Sequence, residues 1–139
     1  MSTLFHASCV AIGGRALLIA GDSGSGKSDL ALRLIDRGAV LVSDDQVVLS
    51  VDDNRLVASA PATITGQIEV RGLGIMAMDY RSPMPVALLI DLAAPVERMP
   101  EPRGRELCGV SVPAVALDPF EASAPIKAEL ALREWGLHV

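Results

Sequence analysis

The sequence GDSGSGKS, residues 21–28, decides the fold of this chain. It matches the spacing G-x-x-x-x-G-K-[ST] of phosphate-binding loops (P-loops), whose fixed positions here are Gly21, Gly26, Lys27 and Ser28. An apolar run, residues 15–20, precedes the loop, and apolar residues at helical spacing follow it over residues 28–37. The pattern therefore predicts a strand, a phosphate-binding loop and a helix in succession.

The loop predicts binding of a nucleoside polyphosphate such as ATP. Glycines allow torsions that turn successive N–H groups inward, and the following helix adds free N–H groups and the positive end of its dipole. We expect Lys27 to contact the β- and γ-phosphates and the Ser28 hydroxyl to ligate Mg²⁺. The predicted nucleotide-binding residues are Gly21, Asp22, Ser23, Gly24, Ser25, Gly26, Lys27 and Ser28. The alternative is a glycine-rich connector that binds nothing, which the flanking strand and helix disfavour.

Length and composition indicate one cytoplasmic domain over residues 1–139. Half of the residues are apolar, enough for a real core, and the net charge of -5 disfavours a nucleic-acid partner. Because no apolar run approaches the length of a membrane span and no signal peptide precedes the first strand, no membrane partner is expected. Cys9 and Cys108 lack partners at metal-ligand spacing, so both are interpreted as buried small side chains in a reducing compartment.

The apolar pattern predicts an α/β fold: a P-loop kinase-like domain with a mixed, partly antiparallel sheet and few helices. Gly13-Gly14 between two apolar runs indicates a tight hairpin. The predicted strands cover residues 4–12, 15–20, 39–42, 46–51, 55–60, 86–92 and 110–117. The predicted helices cover residues 28–37 and 122–135. Residues 65–79 are rich in glycine, and residues 95–104, which hold three prolines, are expected to form a loop.

Two adjacent carboxylates follow the strand predicted over residues 39–42. Asp44 and Asp45 lie 17 and 18 residues after Lys27. In P-loop proteins a carboxylate at the end of a neighbouring strand commonly faces the magnesium ion, and another can act as a base. The alternative is a solvated turn, since aspartate is a common turn residue.

Two longer segments resemble a known family. GDSGSGKSDLALRLIDRGAVLVSDDQV, residues 21–47, and GQIEVRGLGI, residues 66–75, are similar to the catalytic domain of HPr kinase/phosphorylase. The resemblance extends over about residues 5–75. It implies an ATP- and Mg²⁺-dependent kinase that phosphorylates a seryl hydroxyl of HPr, a phosphocarrier of the sugar phosphotransferase system. It also implies the reverse reaction, in which inorganic phosphate attacks phosphorylated HPr and pyrophosphate is released.

The resemblance also implies roles for single residues. Asp44 would be the base that takes the seryl proton, and Asp45 would hold the metal or orient its neighbour. His6 matches a family histidine that could contact the phosphoryl group or its acceptor; otherwise it is an ordinary strand histidine. Glu69 would complete the Mg²⁺ shell, and Arg71 would neutralise charge on the transferring phosphoryl group. A loop anchored by a surface salt bridge is the alternative for these last two.

The chain departs from the family pattern beyond residue 75. PRGRE, residues 102–106, replaces a P-G-R-N-like loop, and DPFEASAPIK, residues 118–127, replaces a helix motif; we expect Pro125 to interrupt the start of that helix. The family's additional N-terminal domain is not expected here, which leaves homo-oligomeric assembly an open expectation. Two other functions stay open: a P-loop kinase for a small metabolite, and a nucleotide-binding sensor that signals through a partner without catalysis.

Overall fold

The computed structural model describes residues 2–101 and 103–139, and within these ranges the chain forms eleven β-strands and two α-helices. The strands are β1 (Ser2–Phe5), β2 (Ala7–Ile12), β3 (Arg15–Ala20), β4 (Val40–Ser43), β5 (Val47–Asp52), β6 (Arg55–Ser59), β7 (Gln67–Val70), β8 (Gly74–Ala77), β9 (Met84–Asp91), β10 (Arg103–Leu107) and β11 (Val110–Ala116). The helices are α1 (Lys27–Asp36) and α2 (Ala124–Trp135), and a 3₁₀ helix covers Ala62–Ile64. The predicted α/β class with few helices is confirmed.

The main sheet is mixed and curled. Its order is β1-β5-β6-β9-β3-β2-β4, and β11, which carries β10 on its other side, also pairs with β9. The β9–β3 and β9–β11 pairs are parallel, whereas the other pairs in this sheet are antiparallel. Only His6 separates β1 from β2 in the chain, yet four strands lie between them in the sheet. The sheet must therefore curl until its two ends approach each other.

Both faces of the curled sheet are buried, because alternate side chains of each strand point to opposite faces. On the outer face, Leu17, Ile19 and Ile90 pack with Leu30 of α1 and Leu132 of α2. The inner face holds a second cluster, which includes Cys9, Leu18, Leu49, Leu56 and Leu89. The largest fully buried side chains are leucines and isoleucines, since the chain has only four aromatic residues.

The two helices begin and end where their sequences indicate. Helix α1 ends at Asp36, and Gly38 follows with φ of 109°, which permits the Ala39 N–H to donate to the Leu34 carbonyl at 3.0 Å. The expectation that Pro125 interrupts the second helix is wrong. Pro125 lies in the first turn of α2, where a missing N–H costs no hydrogen bond. In the part of the chain that the structure describes, neither α-helix has the length and apolar character needed to cross a membrane.

The bounds of two other predicted elements need correction. The strand predicted over residues 4–12 is divided at His6, because β1 pairs with β5 while β2 pairs with β3 and β4. The predicted loop at residues 95–104 ends earlier than expected, because β10 begins at Arg103; Pro102 lies outside the described residues. The glycine-rich residues 65–79 contain an antiparallel hairpin of β7 and β8.

The two cysteines differ in their surroundings. Cys9 is fully buried in β2, as predicted, and burial raises the pKa of its thiol, which keeps it neutral. Cys108 is exposed, so its predicted burial is wrong. It lies with Gly109 in the two-residue turn between β10 and β11, where both residues have positive φ. This tight turn places the Cys108 side chain outside the core.

Candidate functional site

The loops that carry the predicted site residues meet at one edge of the sheet. Strands β3, β4, β9 and β11 all point toward this edge, because β4 is antiparallel to β2, β2 is antiparallel to β3, and β9 is parallel to β3 and β11. Residues 21–26 follow β3, residues 44–46 follow β4, and His6 precedes β2 at the same edge. Sites in open α/β sheets commonly lie beyond the carboxyl ends of such strands.

The glycine-rich loop between β3 and α1 closes tightly on itself. The Ser25 N–H donates to the Asp22 carbonyl at 3.0 Å, and Gly24 and Gly26 have φ of 80° and 99°, which favour glycine. Lys27 is buried, and its Nζ donates to the Asp22 carbonyl at 2.9 Å. Among the described residues the buried Ser25 hydroxyl has no hydrogen-bond partner. The loop therefore holds a buried cation and an unsatisfied hydroxyl, both suited to an anion.

Asp44 is a buried carboxylate with three donors around it. The Ser28 hydroxyl donates to Asp44 Oδ1 at 2.6 Å, and the Ser8 hydroxyl donates to the same oxygen at 2.8 Å. The Glu69 backbone N–H donates to Asp44 Oδ2 at 3.0 Å. Only 6% of the Asp44 surface is exposed. Asp44 thus joins three segments of the chain: β2, the start of α1, and the β7–β8 hairpin.

Asp45 faces the opposite way, with 56% of its side chain exposed. Its φ of 66° turns the backbone after Asp44, and its N–H donates to the Ser8 hydroxyl at 3.1 Å. Asp45 Oδ1 lies 2.8 Å from His6 Nε2 and 3.7 Å from Lys27 Nζ. An accessible carboxylate held between an imidazole and an ammonium group can accept a proton from a substrate that approaches from solvent.

A cavity of about 320 Å³ opens beside the two carboxylates. It is lined by Asp44, Asp45, Gln46, Ile64, Gln67, Glu69 and Ile75. Glu69 is therefore brought to the site, by its backbone bond to Asp44 and by its place in this lining. Arg71 lies further along, exposed in the turn between β7 and β8, and is not among the described residues that line the cavity.

Sequence reasoning did not single out Ser8, although Ser8 connects the two carboxylates. Its hydroxyl donates to Asp44 and accepts from the Asp45 N–H, and its side chain is fully buried. A signal was present: Ser8 is a polar residue inside an apolar strand, two positions after His6, and residues two apart in a strand share a face. Buried hydroxyls need partners, so this position indicated a polar site.

The residues present fit Mg²⁺ and a triphosphate. Among the described residues, no group of three or more His, Cys, Asp or Glu side chains could enclose a metal ion. Mg²⁺ does not need such a group, because it is usually held by one or two protein oxygens together with phosphate oxygens and waters. The adjacent Ser28 Oγ and Asp44 Oδ1 are oxygens of this kind. The Lys27 ammonium and the unpaired Ser25 hydroxyl suit the phosphate oxygens.

These features define a class of protein: a curled α/β domain with a glycine-rich loop and a carboxylate pair at one edge of its sheet. Comparison with known families agrees with this class. The family model described as the HPr Serine kinase C-terminal domain matches residues 1–82, more than half of the chain. The chain belongs to this family, and the resemblance found in its sequence is confirmed.

Relatives and a solved structure agree with this assignment. HPr kinase/phosphorylase of Mycoplasmopsis pulmonis (strain UAB CTIP) is 46% identical over 71 residues, which are 51% of this chain and 23% of that protein. The protein of the same name from Clostridium tetani (strain Massachusetts / E88) is 46% identical over 74 residues, 53% of this chain and 24% of that one. The structure of the Hpr(Ser) kinase/phosphatase from Coxiella burnetii is 31% identical, with a TM-score of 0.81 and coverage of 94% of both chains. The chain spans about a quarter of the length of the curated relatives that it matches.

Proposed function

We propose that this chain is an ATP-dependent protein-serine kinase that phosphorylates an HPr-type phosphocarrier. One observation carries the proposal: the exposed Asp45 carboxylate lies 3.7 Å from the buried ammonium group of Lys27, beside the glycine-rich loop. Lys27 is the residue predicted to hold the β- and γ-phosphates, and Asp45 faces solvent, from which a protein acceptor must approach. In this proposal the phosphate donor and the proton acceptor would be adjacent.

The donor side is formed by residues 21–28. We propose that Lys27 exchanges the Asp22 carbonyl for phosphate oxygens when ATP binds, since a charge-assisted bond to an anion is stronger than one to a neutral carbonyl. Ser28 and Asp44 would hold Mg²⁺, which when bound neutralises charge on the phosphates. Loop glycines and the first N–H groups of α1 would orient the triphosphate without a side chain intervening.

We propose that Asp45, instead of Asp44, takes the seryl proton. Asp44 also lines the cavity, but both of its oxygens already accept hydrogen bonds from Ser8, Ser28 and the Glu69 backbone, which leaves less capacity for the seryl proton. Asp45 is exposed, and His6 Nε2 at 2.8 Å fixes the orientation of its carboxylate. The seryl oxygen would form a bond to the γ-phosphorus as the bond to the β-phosphate oxygen breaks, with its proton passing to Asp45. The products are phosphoserine and ADP.

The acceptor side would be the cavity next to the carboxylates. It is bordered by Glu69 and Ile75 of the β7–β8 hairpin, and Ile75 is 63% exposed. An exposed apolar side chain at the rim of a polar cavity is suited to contact a protein. Roles of Glu69 as a metal ligand and of Arg71 toward the phosphoryl group stay predictions, as does assembly into a homo-oligomer.

A phosphotransfer assay tests the proposal. The protein is incubated with γ-³²P-ATP, Mg²⁺ and a purified HPr-type phosphocarrier, and the label on the phosphocarrier is measured. We expect label on a seryl residue with the wild type, none with Lys27→Ala, and none with a phosphocarrier whose acceptor serine is replaced by alanine. If wild-type protein binds ATP but labels no phosphocarrier under any metal condition, the kinase proposal fails and a nucleotide-binding sensor replaces it.

The reverse reaction needs a separate assay. Seryl-phosphorylated HPr is mixed with the protein, Mg²⁺ and inorganic phosphate, and pyrophosphate is measured. The same site would serve, with protonated Asp45 returning its proton to the seryl oxygen as phosphate attacks the phosphorus. Release of pyrophosphate that is lost in Asp45→Asn would extend the proposal to phosphorolysis. Absence of pyrophosphate, together with active phosphorylation, would restrict it to the kinase direction.

A further inference from the structure

The loop after β11 presents one aromatic ring to solvent beside the glycine-rich loop. Phe120 is 78% exposed, whereas its neighbour Pro119 is buried. A Cβ atom placed on Gly26 would lie 3.2 Å from Pro119 Cβ and 3.5 Å from Phe120 Cε1. The ring therefore borders the last glycine of the loop, one residue before Lys27.

The backbone that carries this ring is held in place by polar contacts. The Phe120 N–H donates to Asp118 Oδ1 at 2.9 Å. The Arg33 guanidinium of α1 donates to the carbonyls of Pro119 and, at 3.2 Å, Glu121. These contacts tie the loop to the helix that begins at Lys27. With the backbone fixed from both sides, a ligand that stacks on the exposed ring has only the two side-chain torsions of Phe120 to order, which limits the entropic cost of binding.

The order of the strands indicates on which side of the glycine-rich loop Phe120 lies, relative to the carboxylates. At this edge of the sheet the strands follow the order β4, β2, β3, β9, β11. Asp44 and Asp45 follow β4, the glycine-rich loop follows β3, and Phe120 follows β11. The ring thus lies on the opposite side of the loop from the carboxylates. A nucleotide whose terminal phosphate points to the carboxylates extends its other end away from them.

We propose that Phe120 is the stacking surface for the base of the bound nucleoside triphosphate. This inference rests on the proposed nucleotide binding and adds a second contact region to it, at residues 118–121. Aromatic rings stack on any base, so the site would accept several nucleotides and favour purines for their larger area. Phe120 would act as a binding residue for the base, remote from the phosphoryl group.

Calorimetric titration tests the inference without an activity assay. Dissociation constants for ATP and for inorganic tripolyphosphate, each with Mg²⁺, are measured for the wild type, Phe120→Ala and Phe120→Trp. We expect Phe120→Ala to weaken ATP binding about tenfold and to leave tripolyphosphate binding within about twofold, because tripolyphosphate has no base to stack. Met99→Ala, which changes another exposed apolar side chain (85% exposed), is the control and should change neither constant.

Phe120→Trp supplies a second readout. Its affinity for ATP should equal or exceed that of the wild type. The emission of the new tryptophan is obtained by subtracting the wild-type emission, which comes from Trp135 alone. This difference should change when ATP is added and stay constant when tripolyphosphate is added. The inference is overturned if Phe120→Ala leaves ATP binding unchanged, or weakens both ligands equally, which would indicate a disturbed phosphate loop. If the wild type binds neither ligand, the proposed function itself is wrong and the base site fails with it.

Discussion

Asp44 and Asp45 are adjacent in sequence but have opposite surroundings. Their distance from Lys27 made the pair visible in the sequence, whereas their separate environments depend on two features that spacing does not encode. One is the positive φ of Asp45, which turns its side chain toward His6 and solvent. The other is Ser8, which contacts Asp44 from 36 residues away. Local patterns therefore predicted the carboxylates, while the division of roles between them depends on tertiary contacts.

The two carboxylates should differ in their effect on stability. Asp44→Asn replaces one of the two oxygens that accept the three hydrogen bonds with an NH₂ group, which then faces a donor, so we expect the free energy of unfolding to fall by about 1–3 kcal/mol. Asp45→Asn should change it by no more than about 0.5 kcal/mol, since the side chain is exposed and asparagine tolerates positive φ. Urea unfolding measures both values.

The same pair of variants separates structure from catalysis. Asp45→Asn should keep its fold and its affinity for ATP while it loses phosphotransfer, because an amide cannot accept the seryl proton. Normal phosphotransfer by a folded Asp45→Asn variant would exclude Asp45 as the base.

Among the elements, the glycine-rich loop was the most predictable, and the least predictable were the β7–β8 hairpin and strand β10 of the β10–β11 hairpin. The loop has a fixed spacing with a physical cause, whereas β8 and β10 consist largely of exposed residues; β11, by contrast, was predicted as a strand over residues 110–117. Both hairpins depend on turn residues with positive φ, such as Gly72 and Cys108. Strand β10 forms because it pairs with β11, and the sequence of β10 alone does not indicate this pairing.

Two glycines of the loop should respond differently to alanine. Both Gly24 and Gly26 have positive φ, so either substitution adds backbone strain of about 1–2 kcal/mol. A Cβ atom at Gly24 meets nothing within 4 Å, whereas one at Gly26 lies 3.2 Å from Pro119. We expect Gly26→Ala to destabilise the protein by about 1 kcal/mol more than Gly24→Ala, measured by urea unfolding at equal m-values. Equal losses of stability in the two variants would show that the loop after β11 moves away from the added Cβ atom at no cost in free energy.

The β7–β8 hairpin should contribute to acceptor binding. Ile75→Asp puts a charge on an exposed side chain at the cavity, so stability should change by less than about 0.5 kcal/mol. We expect the KM for the phosphocarrier to rise at least about tenfold and the dissociation constant of ATP to stay the same. Val51→Asp is a matched control, because Val51 is 45% exposed near the end of β5 that lies away from Asp45. A KM raised equally by both variants would contradict a specific contact.

At the scale of the molecule, the mixed sheet was predicted from hairpin signals, but its curl was not. The curl follows from the pairing of β1 with β5 across 42 to 48 residues of chain, a non-local contact without a local signature. Curling gives the sheet an inner and an outer apolar cluster, and both include side chains of β9. Because both clusters contain side chains of β9, we expect the loss of one cluster to destabilise the other.

The single domain over residues 1–139 stays a prediction that unfolding can test. Because β9 contributes to both clusters, we expect one cooperative transition in urea. Fluorescence of Trp135, which packs against the outer cluster, and far-UV circular dichroism should give coincident curves. Leu89→Ala, which truncates a fully buried side chain of the inner cluster, should lower the midpoint seen by both probes, at a cost of about 2–5 kcal/mol. Separate transitions would indicate two independently folding parts.

Strand β9 also determines how the molecule opens. It pairs with β3 along most of its length, with β6 at Met84 and Pro85, and with β11 at residues 89–91. We expect peripheral strands such as β1, β4 and β10 to fray and reclose while β9 keeps its hydrogen bonds, so that the amide protons of β9 exchange with deuterated solvent only through global opening. The glycine-rich loop is attached directly to β3, beside this slowly exchanging centre. We therefore expect the glycine-rich loop to be anchored to the part of the chain that unfolds last, and the largely exposed β7–β8 hairpin to open more readily.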